Sequence, residues 1–457
     1  MIKIYDEDTI AAIATGMGGA GIGIIRISGE EAVAIAERLF QQKKGKSLKT
    51  AESHKLLYGY IVDPETEKPI DEVLVSKMNR PFSYTAEDVV EINCHGGIVP
   101  LQKILKTVLK QGARLAESGE FTKRAFLNGR LDLTQAEAVM DIISAKTEQS
   151  LNYSMGQLEG HLSEKIDEID AVLMDMMMHI EANIDYPEFD IEKVSMTFLK
   201  ARCEGVLQQI KKLLATAETG KIYREGITTA ILGEPNVGKS SLLNYLLMEN
   251  KAIVTDIPGT TRDVIEEYIN IQSIPFKIID TAGIRQTDNI VEKMGVDKAR
   301  ALIDRATLIL FMRDVSKPLS DEEKKLLASL KDKKTVLIAN KMDLCETPET
   351  LPKEWLPLSL KTDEGIETLR DTMVKKVTSG LVSQEADYII SNTRHVQLLE
   401  TTATALENAL HTISLNLPLE LISIDLRDAL ENLRQITGKV VEDDIINAIF
   451  KNFCIGK

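Results

Sequence analysis

Apolar positions along this chain recur with two periods, and the points where the period changes divide it into parts. Up to about residue 120, short apolar runs alternate with turn residues. TIAAIA and GIGIIRIS flank a glycine-rich turn at 16–21, and KLLYGYIV, EVLVSKM and DVVEINC follow. Runs of this length predict strands. Ser28 with Glu31 reads as a capping box for a helix continuing to Phe40, and HGG at 95–97 reads as the start of another helix. The glycine turn opens a strand and lacks a following GKS, so it reads as a structural turn. Residues 1–120 are expected to form an α+β domain.

From Thr134 the period becomes helical. Thr134 with Glu137 reads as a second capping box, and Leu151, Met155, Leu158, Leu162, Ile166, Ile169, Leu173, Met177, Ile180 and Ile184 step by three or four. One or two long helices are predicted over 134–184, about 75 Å end to end if continuous. Pro187 ends the run. Met174, Met176, Met177 and Met178 read as core packing. A further amphipathic helix is predicted over 197–219. Helical periodicity returns over 398–413, 421–436 and 443–453, with Thr437-Gly438 as a helix stop. Like segments on both sides of a differently patterned middle predict one discontinuous all-α domain, 121–219 and 380–457, interrupted by an inserted domain at 220–379.

The insert has strand periodicity and carries the chemistry. The apolar run ITTAIL, 227–232, leads into GEPNVGKS, 233–240, and a helix is predicted from about Lys239. Strand, glycine-rich turn and helix form the context that a phosphate-binding loop requires. Gly233 and Gly238 let backbone N–H groups turn inward, the helix N-terminus adds partial positive charge, Lys239 reaches β- and γ-phosphates, and the Ser240 hydroxyl suits magnesium. FKII, 276–279, runs into Asp280, Thr281, Ala282 and Gly283. There Asp280 is placed to hold the magnesium shell and the Gly283 N–H to meet a γ-phosphate. TVLIA, 335–339, ends in Asn340, Lys341, Met342 and Asp343. The Asp343 carboxylate matches the paired N1–H and amine donors of guanine, which adenine lacks, and an unsatisfied carboxylate costs about 1–3 kcal/mol. Asn340 is expected to brace the loop and the Lys341 stem to lie over the base. Ser359, Leu360 and Lys361, after the apolar run WLPLSL, are expected to offer a backbone N–H to the guanine oxygen. Three motifs in order, each at a strand end, predict an α/β P-loop GTPase domain.

Composition narrows the rest. The chain has 457 residues, too many for one core, and a net charge of −15 from 55 basic and 70 acidic residues. A broad nucleic-acid-binding surface is not expected. Cys94, Cys203, Cys345 and Cys454 are scattered without paired spacing, which argues against a zinc site or disulfide framework. No apolar run approaches about 18 residues, and the amino terminus lacks a basic region followed by a hydrophobic core, so a soluble, cytoplasmic protein with no membrane partner is expected.

The order of parts and several strings resemble the tRNA modification GTPase family called MnmE or TrmE. Those strings are GIGIIRISG, PFSYTAEDVVEINCHGG, GEFTKRAFLNGRLDLTQAEAV, AIVTDIPGTTRD and the terminal FCIGK. The resemblance implies a folate-binding, dimer-forming amino-terminal domain, a discontinuous helical domain and an inserted GTPase domain. It implies a homodimer that acts with a flavoprotein partner, MnmG (GidA). The pair would install an aminomethyl-type (carboxymethylaminomethyl) group at C5 of the tRNA wobble uridine, using a one-carbon unit from 5-formyl- or methylene-tetrahydrofolate.

It also implies residue roles. GTP is contacted by Asn236, Val237, Gly238, Lys239, Ser240 and Ser241, by the loop Thr255, Asp256, Ile257, Pro258, Gly259, Thr260 and Thr261, and by the two later motifs. Potassium is held by Asn236 with carbonyls of Thr255, Ile257 and Thr260, standing where other GTPases insert an arginine finger. Magnesium takes Ser240 and Thr261, with Thr260 as the competitor for the switch position. Ile284 stands where signalling GTPases carry a water-orienting glutamine, so Glu292, supported by Arg285, takes the catalytic role. The folate site is Arg26, Glu91, Arg130 and Lys457. Glu91 would accept the pterin N–H donors, and the three cations would meet the glutamate tail. Arg130 departs from the lysine expected there. Cys454 is either a nucleophile or an inert thiol. A regulatory GTPase that binds RNA in ribosome assembly is the second function class. Such a protein usually carries a basic appendage, and none stands out here.

Overall fold

The computed structural model describes residues 8–16, 19–43, 47–185, 195–250, 267–279, 301–345, 351–379 and 389–457. They fall into two compact units, one built from the amino-terminal 140 residues together with 434–457, and one from most of the chain between.

The first unit is built on a seven-stranded sheet. Its strands are β1 (Ile10–Ile13), β2 (Ile22–Ser28), β3 (Phe40–Gln42), β4 (Leu56–Val62), β5 (Pro69–Met78), β6 (Val89–His95) and β7 (Arg114–Leu115), in the order β3-β4-β5-β6-β2-β1-β7. All neighbours are antiparallel except β1 and β7. Side chains alternate across each strand. Ile25, Ile27, Val75 and Ile92 meet Ile35 of helix Ala32–Leu39 and Leu101, Ile104 and Val108 of helix Ile98–Lys110. Arg26 and Glu91, paired across β2 and β6, lie on the opposite face.

That face stays partly open, with Ile22, Tyr58 and Leu74 exposed. Behind the far edge, Leu133, Ala136, Ile446, Phe450 and Phe453 form a small second core. The carboxyl-terminal tail is part of the unit: Ile455 bridges to Ser118, and the Gly119 N–H donates to Cys454 O at 3.2 Å. Gly456 has φ +96°, and a Cβ there would stand 2.3 Å from Ile13 O, so the close approach requires glycine.

An ionic cluster centred on the buried Arg124 ties Asp8, Glu87, Arg114 and Glu120 of this unit together. The Arg124 guanidinium, 4% exposed, donates to Asp8 Oδ1 at 2.7 Å, Glu120 Oε1 at 3.0 Å and Glu87 at 3.3 Å. Arg114 bonds Asp8 and Glu120 as well. Burial alone would raise the Asp8 and Glu120 carboxyls. The hydrogen bonds from Arg114 and Arg124 outweigh it and hold both below their ordinary values.

The second unit contains helices Glu148–Glu159, His161–Asp185, Met196–Ala215 and Thr393–Ser414, with most of Leu419–Thr437. Leu162, Ile166, Ile169, Leu173, Met176, Met177 and Ile180 line one buried stripe. Of the four methionines expected in the core, Met176 and Met177 are buried, while Met178 is exposed. Beside the helices lies a six-stranded sheet of β8 (Ile227–Leu232), β9 (Glu267–Ile271), β10 (Ile274–Ile278), β11 (Leu308–Asp314), β12 (Lys334–Asn340) and β13 (Trp355–Pro357). The order is β13-β12-β11-β8-β10-β9, parallel except for β9. Helices Lys239–Asn250 and Ile366–Thr378 pack on one face and Asp321–Ser329 belongs to the other, so the sheet is covered on both sides.

Four helix readings differ from the structure, one being the single helix expected over 197–219, which is two, Met196–Ala215 and Ala217–Glu225. Ser28 caps nothing: it ends β2 and its Oγ bonds Thr85 and Glu87, while the Glu31 N–H is accepted by Thr9 Oγ1. The reciprocal pair expected at Thr134 and Glu137 sits two residues earlier, where the Asp132 carboxylate accepts the Gln135 N–H and the Gln135 side chain accepts the Asp132 N–H, both at 2.9 Å. The run over 134–184 is three helices, Leu133–Ser144, Glu148–Glu159 and His161–Asp185. Thr147 caps the second and Gly160, at φ +100°, ends it. Apolar spacing registers a helical face and is blind to a short break that preserves it. Among the described residues, no helix is long and apolar enough to cross a membrane.

Candidate functional site

The parallel strands of the second unit end on one edge, where an α/β sheet places its ligand loops. The loop after β8 holds three residues at positive φ, Gly233 (+148°), Asn236 (+61°) and Gly238 (+106°). Glycine is required at two of them. A Cβ on Gly233 would lie 2.1 Å from Met312 O, and one on Gly238 would lie 2.5 Å from Asn340 Nδ2. Lys239 begins the following helix, and its Nζ reaches back to Gly233 O at 2.8 Å and Glu234 O at 2.7 Å. Burial pushes this ammonium below its ordinary value, against the opposing charge of Glu234. The loop therefore favours a ligand that brings negative charge. Glu234 is tied in turn to Ser320 Oγ, the cap of helix Asp321–Ser329.

The strings NKMD and SLK come to the same edge from β12 and β13. Asn340, buried, donates from Nδ2 to Val237 O at 2.8 Å, bracing the phosphate loop as expected of it. Lys341, at φ +65°, extends its Nζ to Asp314 Oδ2 at 2.7 Å. Asp314 ends β11. Burial raises its carboxyl, and the bonds from Lys341 and Ser316 override that and hold it low. Asp343 is oriented by the buried Ser359, whose Oγ donates to Oδ1 at 3.0 Å, with Lys361 Nζ at 3.9 Å from Oδ2. The Ser359 N–H is engaged by Glu364 O at 3.0 Å, which leaves Leu360 and Lys361 for the expected amide contact. Asp314 was not foreseen. Its signal, an acidic residue closing the apolar run LILFMRD, is no different from that of any strand end. Thr255, Asp256, Ile257, Pro258, Gly259, Thr260, Thr261, Asp280, Thr281, Ala282, Gly283, Arg285 and Glu292 lie outside the described residues.

A second group assembles in the first unit. Arg26 and Glu91 are neighbours across β2 and β6, joined at 2.8 Å and 2.9 Å, and the Arg26 guanidinium also donates to Gly456 O at 3.3 Å. Lys457 is next in the chain. Burial pushes its ammonium below the ordinary value, the charge of Arg26 adds to the effect, and Glu91 and Cys454 oppose it. Arg130 donates to Tyr84 O at 3.0 Å, and its guanidinium lies 5.0 Å from the Tyr84 ring centroid. The Arg26 guanidinium lies 5.2 Å from the same ring and 5.6 Å from that of Phe121. Arg26 and Arg130 thus meet on one aromatic residue, with Glu91 paired to Arg26 and Lys457 within electrostatic reach of both Arg26 and Glu91. The chemistry suits a ligand with a donor edge for Glu91 and carboxylates for the cations. Sequence reading did not single out Tyr84 or Phe121. Of the cysteines, Cys94 and Cys203 are buried, with thiols pushed up by burial to about 11 and about 12, while Cys454 is partly exposed.

Comparison with known proteins bears on both groups. Residues 9–130 match the family described as GTP-binding protein TrmE N-terminus, and residues 133–454 match the MnmE helical domain. A protein of Alkaliphilus oremlandii named tRNA modification GTPase MnmE is 48% identical over 99% of this chain and 100% of its own length. Proteins with the same name from Thermoanaerobacter sp. and Geobacillus thermodenitrificans are 50% and 48% identical, each over 98% of this chain and 99% of its own length. With two domain signatures in sequence and an end-to-end match at this identity, the chain belongs to the MnmE (TrmE) family of tRNA modification GTPases.

Proposed function

We propose that this protein is a potassium-dependent GTPase that, with a flavoprotein partner of the MnmG (GidA) type, installs a carboxymethylaminomethyl-type group at C5 of the tRNA wobble uridine. The one-carbon unit comes from a tetrahydrofolate. The observation that carries the reading is that one chain holds two chemically distinct sites. One is a phosphate loop braced by Asn340 beside an oriented Asp343. The other is a cationic cluster around Arg26 and Glu91, to which the Gly456 carbonyl adds an acceptor for Arg26. A switch that only bound RNA would have no use for the second site.

In the first site, the loop from Asn236 to Ser241 cradles the phosphates and Asp343 selects guanine over adenine. Magnesium takes the Ser240 hydroxyl with Thr261 or Thr260. Potassium takes the Asn236 side-chain oxygen with carbonyls of Thr255, Ile257 and Thr260, where it offsets charge developing on the phosphates. The left-handed backbone of Asn236 suits a loop that turns its groups inward. Glu292 orients water, with Arg285 in support. In the second site, Glu91 accepts the pterin donors and Arg26, Arg130 and Lys457 hold the glutamate tail. Two copies pair through their amino-terminal domains. The open sheet face with exposed Ile22, Tyr58 and Leu74 supports that pairing. With a net charge of −15, the chain attracts tRNA poorly, so the partner presents it.

The test is reconstitution with tRNA, partner, reduced folate and hydrolysable GTP, omitting one component at a time and reading nucleosides by mass spectrometry. Modification is expected only from the complete mixture. Full modification without the partner or with a non-hydrolysable analogue defeats the mechanism. Asn236→Ala is expected to remove the potassium response of hydrolysis while sparing GTP binding. Equal turnover of the native protein in potassium and sodium rules out the cage.

A further inference from the structure

The cationic pocket raises a physical problem that its four expected residues do not solve. Arg26 and Arg130 bring two guanidinium groups to one ring, with Glu91 paired to Arg26 and the Lys457 ammonium close to that pair. Like charges repel: burial chiefly lowers the Lys457 ammonium, and the charge of Arg26 lowers it further. Something must hold the two guanidinium groups together before an anionic ligand arrives.

The neutral group that meets both is Tyr84. Its ring centroid is 5.2 Å from the Arg26 guanidinium and 5.0 Å from that of Arg130, both within cation–π range. Its carbonyl accepts from Arg130 at 3.0 Å. The ring itself is fixed: the Tyr84 hydroxyl meets Thr122 Oγ1 at 2.9 Å, Thr122 is fully buried, and the ring packs on the cluster of Ile10, Ala12, Ala116 and Phe121. The loop carrying Tyr84 is pinned on both sides. Asn128 Nδ2 donates to Thr85 O at 2.7 Å, and Ser83 Oγ donates to Glu87 O at 2.5 Å. Tyr84 is thus anchored to the core at its hydroxyl end and presents π density to two cations from different segments.

We propose that Tyr84 is a positioning residue of this pocket, an aromatic anchor that sets Arg26 and Arg130 at the spacing a polycarboxylate ligand requires. The inference rests on the folate reading of the pocket. It assigns Tyr84 no contact with the ligand, so its effect runs through the two arginines.

That route gives the test. Calorimetry with 5-formyl-tetrahydrofolate on the full-length protein measures affinity for the wild type, Tyr84→Phe, Tyr84→Leu, Arg130→Ala and the Tyr84→Leu/Arg130→Ala double variant. Denaturant unfolding, measured on each, reports that the amino-terminal unit is folded. Tyr84→Leu is expected to weaken binding about tenfold or more, because the two guanidinium groups lose the ring that sets them in place. Tyr84→Phe, which keeps the ring, is expected to stay within about threefold. In the Arg130→Ala background, Tyr84→Leu is expected to cost distinctly less than it does alone, because one of the cations it positions is gone. Wild-type binding with an unchanged Tyr84→Leu overturns the inference while leaving the folate reading intact. Strictly additive losses, or a Tyr84→Phe variant as weak as Tyr84→Leu, also overturn it, since the ring would then not act through the arginines. A wild-type protein that binds no reduced folate sinks the folate reading and the inference together.

Discussion

The two sites of this protein are built on opposite plans. At the nucleotide site each contribution is a short contiguous string at a strand end: GEPNVGKS after β8, NKMD after β12, SLK after β13. The parallel sheet alone brings those ends to one edge. At the cationic pocket each contribution is a single residue, Arg26, Glu91, Arg130 or Lys457, and none carries a local signature. Their meeting depends on the β2–β6 register and on a tail fastened to Ser118 and Ile13. A site of the first kind survives damage elsewhere in the chain. A site of the second kind depends on the whole unit that gathers it.

The strongest way to break this contrast is to attack the gathering rather than the residues gathered. Arg124→Ala strips the shared partner from Asp8, Glu87 and Glu120 inside the first unit. Removing one member of a buried pair costs about 3–5 kcal/mol. The amino-terminal unit is expected to unfold at distinctly lower denaturant, with folate binding lost and GTP hydrolysis close to wild type. A single transition that drags GTPase activity down with it would mean the two plans are not separable.

Next in size is removal of residues 454–457, which deletes Lys457 and the Gly456 carbonyl that holds Arg26. Loss of two charge-assisted contacts is expected to reduce reduced-folate affinity by a factor on the order of a hundred or more. Basal hydrolysis should change less than about twofold. Undiminished folate binding by calorimetry would show that the tail is only a structural fastening.

The matching operation on the local site is Asp343→Asn. Here one residue suffices: GTP affinity is expected to fall about thirtyfold or more, while xanthosine triphosphate, with an acceptor where guanine has its amine, gains. Folate binding should not change. Competition binding with the two nucleotides checks it, and equal use of GTP and ATP by the native protein would contradict the assigned role of Asp343.

The smallest effect is a pH difference. In the folded chain the Asp8 and Glu120 carboxyls sit below their ordinary values of 3.8 and 4.5, burial being outweighed by bonds from Arg114 and Arg124. For such groups the unfolded state binds more protons near pH 4. Their stabilisation is therefore complete above the ordinary values and lost as pH falls through the depressed ones. Denaturation of the amino-terminal unit is expected to steepen with acid below about pH 4.5, and Glu120→Gln should flatten that slope. A slope unchanged by Glu120→Gln would remove the cluster from the account.

Apolar spacing and motif strings were enough to read the α/β insert, β2, β4 to β6, β8, β12 and the principal helical segments, because each of these is a local property of consecutive residues. The same information misplaced the caps. Ser28 satisfies the capping pattern, yet its hydroxyl finds Thr85 and Glu87, residues that only folding brings near. The run over 134–184 satisfies helical spacing across two breaks that the spacing cannot register. Family resemblance pointed to Arg26, Glu91, Arg130 and Lys457 but supplied no reason for them to meet.

That reason is tertiary. The chain's sequence by itself determined the glycine-rich loop after β8, the NKMD string after β12 and the helical character of the flanks, since glycine placement, side-chain chemistry and periodicity act within a few residues. Only the tertiary structure decided that the last four residues belong with the amino-terminal sheet, that Lys341 pairs with Asp314, and that Tyr84 meets two arginines. Those outcomes turn on long-range register, burial and charge balance, and no short window of sequence contains them.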